Sequence, residues 1–213
     1  MSTRTFVGVA VSVICLATSA YAVPITPSPT IVSGNVTFNN FTSCSVVGGV
    51  SLTCAQIDVS AHTSVSPPDP TSGDPGIRIQ AAFNAGTTTE DVVFQYDAHV
   101  TGGLIHDASM YFNGTAVSSV TEDIYNLANG DLIGQFAVSS PGSPTASITL
   151  SEDAADIRVI KDIGLNFSSP GPTVISIVDQ QFNQTTVPEP ASLALLGVGL
   201  LALGVGRHRR KTG

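Results

Sequence analysis

Apolar and polar side chains alternate with a period of two through most of residues 77–182. Between 91 and 100, Val92, Phe94, Tyr96, Ala98 and Val100 share one face, while Val93, Gln95, Asp97 and His99 share the other. A β-strand sends successive side chains to opposite faces, so this is the signature of a half-buried strand. Ile77, Ile79, Ala81 and Phe83 repeat it against Arg78, Gln80 and Asn84, and residues 104–112 and 174–182 follow it less regularly. Gly, Pro, Asn and Asp clusters at 67–76, 101–103, 113–114, 129–131, 140–142 and 169–172 punctuate the runs. Asn113-Gly114 is the strongest hairpin signal. A second hairpin is expected about 101–103, pairing 91–100 with 104–112, and a third about Gly48-Gly49. No helical stripe and no repeat of 20–50 residues is present between 23 and 186. The pattern predicts an all-β fold, an antiparallel β-sandwich of jelly-roll or immunoglobulin-like kind.

The two ends follow a different logic. Arg4 precedes an apolar run from Phe6 to Ala17, and Ala20-Tyr21-Ala22 has the small-x-small form read by signal peptidase. Residues 1–22 are therefore expected to be a signal peptide, with the exported domain spanning 23–186. Residues 191–206 are uncharged, and as a helix they extend about 24 Å against a hydrocarbon core of about 30 Å. Arg207, Arg209, Arg210 and Lys211 follow directly. Such a basic cluster is retained in the cytoplasm, which leaves the preceding domain outside. The tail, 187–213, is thus expected to form a short hydrophobic helix anchored in the inner membrane, transiently or stably.

Pro188, Glu189 and Pro190 stand in front of that span, where bilayer insertion does not require them. The triplet, the short apolar stretch and the arginine-rich end together resemble the PEP-CTERM sorting tail of bacteria. Residues 159–182 are also similar to the last strands of many proteins that carry this tail. The resemblance implies recognition and processing by an exosortase, in a Gram-negative bacterium that makes exopolysaccharide. It implies no activity for the domain ahead of the tail.

Composition narrows the partners. Within 23–186 only Arg78, Arg158 and Lys161 are basic, against 15 acidic residues, for a formal charge of −12. Nucleic acid is excluded as a partner, because phosphate binding needs clustered cations. Cys44 and Cys54 remain in an oxidising compartment after export and are expected to form a disulfide.

Signatures of catalysis are missing: the chain has no nucleophile elbow, zinc-protease helix or phosphate loop. It is therefore read as a non-enzyme. His99 with Asp97, and with Asp107 across the expected hairpin, is the one arrangement resembling an acid–base or metal group. His106 is placed in register with Leu104 and Ala108 as a partly buried histidine. Glu122, Asp123, Asp131, Glu152, Asp153 and Asp156 are the carboxylates that could gather around calcium, which takes six to eight oxygens. No other cofactor is implied. The sequence contains no Trp, leaving Tyr96, Tyr111 and Tyr125 as possible sugar platforms. A structural or interaction role beside exopolysaccharide follows, with calcium-assisted glycan binding as the alternative and a secreted hydrolase third.

Overall fold

The computed structural model describes residues 21–48, 52–63, 74–86, 88–115, 117–166 and 173–186. The expected signal-peptide run before Tyr21 and the tail from 187 to 213 lie outside them. Twelve strands carry the described chain: β1 (Val23–Pro24), β2 (Ile31–Ser33), β3 (Val36–Gly48), β4 (Asp58–His62), β5 (Gly76–Asn84) and β6 (Glu90–Val100). The others are β7 (Gly103–Gly114), β8 (Val117–Asn126), β9 (Leu132–Ser140), β10 (Thr145–Ala154), β11 (Asp156–Asn166) and β12 (Val174–Thr186). One sheet has the order β1-β4-β5-β12-β7-β10 and the second β2-β3-β6-β11-β8-β9. Every pairing is antiparallel. Among the described residues no helix is long and apolar enough to cross a membrane.

The two sheets form a sandwich whose apolar faces meet, as the alternation requires. Val92, Phe94, Tyr96, Ala98 and Val100 are all buried, as are Ile77, Ile79 and Phe83. Phe38 of β3 lies 6.1 Å from Tyr96 and 6.0 Å from Phe182 of β12, so aromatic rings bridge the layers.

The connections depart from the expected hairpins. Only β2–β3, β4–β5 and β8–β9 join sequence neighbours within one sheet; the other consecutive strands change layers, in the manner of a jelly roll. β6 and β7 therefore do not pair, and residues 101–103 form a crossover between sheets. Two consecutive strands with one apolar face each can bury those faces side by side or opposite one another. Here they do the latter. Asn113-Gly114 is likewise no hairpin turn, since β7 and β8 belong to different sheets. Gly114 is needed for close approach, because a Cβ there would lie 2.0 Å from the Phe112 ring. The expected turn at Gly48-Gly49 lies partly outside the described residues; β3 ends at Gly48, and a short 3-10 turn (Cys54–Gln56) precedes β4 in the other sheet. Gly48 adopts φ +80, and a Cβ there would lie 2.0 Å from the Thr89 carbonyl oxygen, so glycine is required.

The disulfide itself forms, joining Cys44 on β3 to Cys54 at the start of that turn, with α-carbons 6.0 Å apart. In the chain-entropy picture closing this loop of 10 residues contributes about 2–3 kcal/mol.

One part of the interior is not apolar. Lys161 (β11), Glu122 (β8) and Gln180 (β12) are 0%, 1% and 0% exposed. Each occupies an inward position between apolar neighbours two residues away: Val159 and Ile163, Val120 and Ile124, Val178 and Phe182. Lys161 Nζ donates to a Glu122 carboxylate oxygen and, at 2.9 Å, to the Gln180 carbonyl.

Candidate functional site

With the inner faces committed to the core, surface chemistry belongs to the outer faces and the strand ends. On the second sheet, pairing sets Asp97 of β6 opposite Arg158 of β11, and Arg158 opposite Tyr125 of β8. All three point outward, by the period-two rule that buries Ala98, Ile157 and Ile124. The Arg158 guanidinium clamps Asp97 through two hydrogen bonds, Nε to Oδ1 at 2.8 Å and Nη2 to Oδ2 at 3.1 Å. Asn40 Nδ2 donates to the same carboxylate at 2.7 Å. The hydrogen bond to Asp97 raises the Arg158 pKa, so the cation is held in place. Beside it lies a groove of about 290 Å³ lined by Gln95, Tyr125, Leu127, Arg158 and Ile160. It offers one aromatic ring, exposed apolar surface and a fixed guanidinium.

The outer face of the first sheet is more polar. Arg78 (β5) clamps Asp179 (β12) at 2.7 and 2.8 Å, and His62 (β4) stands 3.5 Å from the same carboxylate. Asp107, Ser109, Ser147, Thr149 and Asn183 line a cleft of about 180 Å³ on this side. That is smaller than the roughly 300–1,000 Å³ usual for small-molecule sites.

Strand pairing separates the histidine group read from the sequence. His99 and Asp97 do share the outer face of β6, but Asp97 is engaged by Arg158. His99 Nδ1 bonds instead to Asp156, its cross-strand partner. Asp107 is on β7, in the other sheet, so it is not across a hairpin from His99. His106 is partly buried, as expected, but its register with Ala108 does not hold. Ile105 and Ala108 are both buried, so the alternation slips by one residue between them and His106 shares a face with Leu104 and not with Ala108. Its Nδ1–H donates to Asp153 Oδ1 at 2.6 Å, and Asp153 Oδ2 accepts from Thr185 at 3.3 Å.

The His106–Asp153 hydrogen bond raises the imidazole pKa and lowers that of the carboxyl. For the raised histidine, any stabilisation is present below its unfolded value and fades as pH rises through the folded one. For the lowered aspartate it is present above the unfolded value and fades as pH falls through the folded one. The pair is therefore favoured between those limits. In an NMR titration, Asp153→Asn is expected to bring the His106 midpoint down toward the ordinary value; an unchanged midpoint contradicts the assignment.

The proposed calcium carboxylates do not gather. Glu122 and Asp123 are adjacent and point to opposite faces, Glu122 into the core beside Lys161. Asp123 accepts from Gln135 at 2.6 Å, and Glu152 accepts from Asn126 and Asn129. Asp153 and Asp156 serve the two histidines, and Asp131 is exposed at the β8–β9 turn. Among the described residues no group of three or more His, Cys, Asp or Glu is arranged to hold a metal ion. A different acidic contact does form on the outer face, where Asp162 is pushed up to about 6 by burial and by its hydrogen bond with Asp91.

The three tyrosines also part company. Tyr96 is core, Tyr111 sits half-buried opposite Asp179, and Tyr125 flanks the groove. Sequence reasoning does not reach the buried Lys161–Glu122–Gln180 group: it sets Glu122 among the calcium carboxylates and gives Lys161 and Gln180 no role. A charged or amide residue flanked on both sides, two positions away, by buried apolar ones was the available signal.

Comparison with known proteins places one feature firmly. The PEP-CTERM protein-sorting motif matches residues 186–211, which include Pro188-Glu189-Pro190 and the basic residues Arg207, Arg209, Arg210 and Lys211. No curated protein matches the chain. Among solved structures, the chain is similar to TmCBM61 in complex with β-1,4-galactotriose at 9% identity and TM-score 0.37, covering 67% of this chain and 90% of that one. It is similar to the C-terminal domain of a chitobiase from Bacteroides fragilis at 9% identity and TM-score 0.32, covering 75% and 100%. It is also similar to the family 11 carbohydrate-binding module from Clostridium thermocellum, in complex with a β-1,3-1,4-mixed-linked tetrasaccharide, at 13% identity and TM-score 0.27, covering 76% and 97%. At these identities and scores the likeness carries no argument about function.

Proposed function

We propose that the chain is an exported, non-enzymatic protein of the cell envelope or extracellular matrix, delivered by its PEP-CTERM tail and processed by an exosortase. The observation that carries this reading is the sorting motif at 186–211, which begins where β12 ends at Thr186. Removal of residues beyond the motif's triplet would leave all twelve strands of the sandwich intact. The acidic charge of the domain suits a matrix protein that must stay soluble and avoid anionic surfaces. In a host carrying an exosortase, the chain is expected in the envelope or medium fraction. In the same host lacking the exosortase it is expected to remain with the inner membrane. Equal release from both would overturn the sorting reading.

A second reading is favoured by the Tyr125 groove, namely contact with exopolysaccharide. The tyrosine ring offers a flat apolar platform, and Gln95 and the Asp97-fixed Arg158 offer directed donors to hydroxyl groups. Calcium is not part of this reading. Tyr125→Ala is expected to weaken retention on the host's purified polysaccharide roughly tenfold. Retention unaffected by the substitution counts against the groove.

A further inference from the structure

The interior holds a set of reactive groups that neither the sorting tail nor the outer faces use. Lys161 and Glu122 are direct cross-strand partners in the second sheet, and Gln180 reaches them from the first. The lysine nitrogen thus contacts a carboxylate on one side and a carboxamide on the other, with Met110 Sδ at 3.3 Å. We propose that this is a self-catalysed cross-linking site, at which Lys161 Nζ attacks Gln180 Cδ to form an intramolecular isopeptide bond between the two sheets, with Glu122 carrying the proton.

The chemistry requires three things, and each has a residue. The nucleophile must be a neutral amine, since an ammonium has no free electron pair. Burial lowers the Lys161 pKa and raises that of Glu122, and both effects favour passing the lysine proton to the carboxylate. The electrophile must be within reach, and Nζ is 2.9 Å from the oxygen borne by the carbon it attacks. Water must be kept out, or hydrolysis of the amide competes. Three side chains at 0–1% exposure meet that condition. Holding amine and amide together in one geometry supplies the proximity that a reaction between free molecules lacks.

The step balances without any co-reactant. The Nζ–Cδ bond forms and the Cδ–Nε2 bond breaks. The proton lost by the attacking amine passes through Glu122 to the departing Nε2, which leaves as ammonia. Glu122 ends as it began the step, protonated. No electrons are transferred between centres.

Gln180 also hydrogen-bonds to the Glu122 carboxylate, so its carboxamide is held between the amine and the acid, with the nitrogen that would leave beside the group that would protonate it. Cross-linking replaces a buried charge pair, which is costly to desolvate, with a neutral amide.

Tryptic digestion of the reduced, denatured full chain tests the proposal. Lys161 is the only tryptic site between Arg158 and Arg207. A linked chain is expected to resist cleavage after Lys161 and to give one peptide, starting at Val159 and containing Gln180, lighter by the mass of one ammonia. Cleavage after Lys161, with an unmodified peptide containing Gln180, overturns the cross-link and leaves an ion pair only. Glu122→Gln is expected to abolish the mass loss; a variant that links as fully as the native chain removes Glu122 from the role given to it. The native digest decides the main question whether or not that variant folds.

Discussion

Lys161→Met is expected to destabilise the sandwich by about 3–5 kcal/mol, the usual cost of removing one member of a buried ion pair. Where Lys161 and Glu122 stand as an ion pair, the loss arises because Glu122 stays in a dry interior without its counter-ion. Its pKa, already raised by burial, then loses the opposing pull of the lysine. A carboxyl whose folded pKa exceeds its unfolded value of about 4.3 destabilises progressively as pH rises past that unfolded value. The deficit should therefore be small near pH 4 and large near pH 7, as measured by denaturant unfolding across that range. A linked chain holds a neutral amide and a protonated Glu122, so its deficit is the lost covalent tie and does not vary with pH in this way. Lys161→Met combined with Glu122→Leu separates the two contributions of the site. If only an ion pair is present, replacing both partners by apolar groups restores or exceeds native stability. With the cross-link, the double variant also loses a covalent tie between residues 19 apart, for which chain entropy gives about 3 kcal/mol. The double variant of a linked chain is thus expected to fall short of the native chain at every pH.

The second large effect is expected at Phe182. Its ring is fully buried on β12, between β5 and β7 in the first sheet, and it meets Phe38 of the opposite layer at 6.0 Å. Its cross-strand partner on β7 is Ala108, too small to fill the space that a truncation would leave. Phe182→Ala should cost about 3–5 kcal/mol through lost transfer energy and residual cavity. That corresponds to a fall in Tm of roughly 10 °C for a domain of this size. Phe182→Leu, which retains most of the volume, should cost about 1 kcal/mol. Equal losses for the two variants would show that the packing across the layers is not the source.

The strands and their buried faces were legible because alternation is a local consequence of backbone geometry. Val92, Phe94, Tyr96, Ala98 and Val100 could be assigned to the core from the sequence alone, and so could Ile77, Ile79 and Phe83. Pairing was not legible in the same way. Asn113-Gly114 has the composition of a tight hairpin, yet the next strand joins the other layer. Turn chemistry reports that the chain reverses, and says nothing about whether the new strand lies beside its predecessor or across the core from it. The same ambiguity separated His99 from Asp107 and gave it Asp156 instead. His106 does not share the face of Ala108 because one irregular residue in β7 reverses every side chain beyond it. The disulfide was legible from the spacing of Cys44 and Cys54 and from compartment, although Cys54 opens a 3-10 turn and not a strand paired with β3. Lys161, Glu122 and Gln180 come from three strands and two sheets, so their meeting depends on the topology that local patterns leave open.

The central claim concerns the tail, and the most direct measurement is the C-terminal residue of the chain recovered from the cell surface or medium. Mass spectrometry is expected to place that residue at or near Pro188-Glu189-Pro190, with the apolar span and the basic residues from Arg207 to Lys211 removed. Recovery of a mature chain that still ends in the basic cluster would contradict processing by an exosortase.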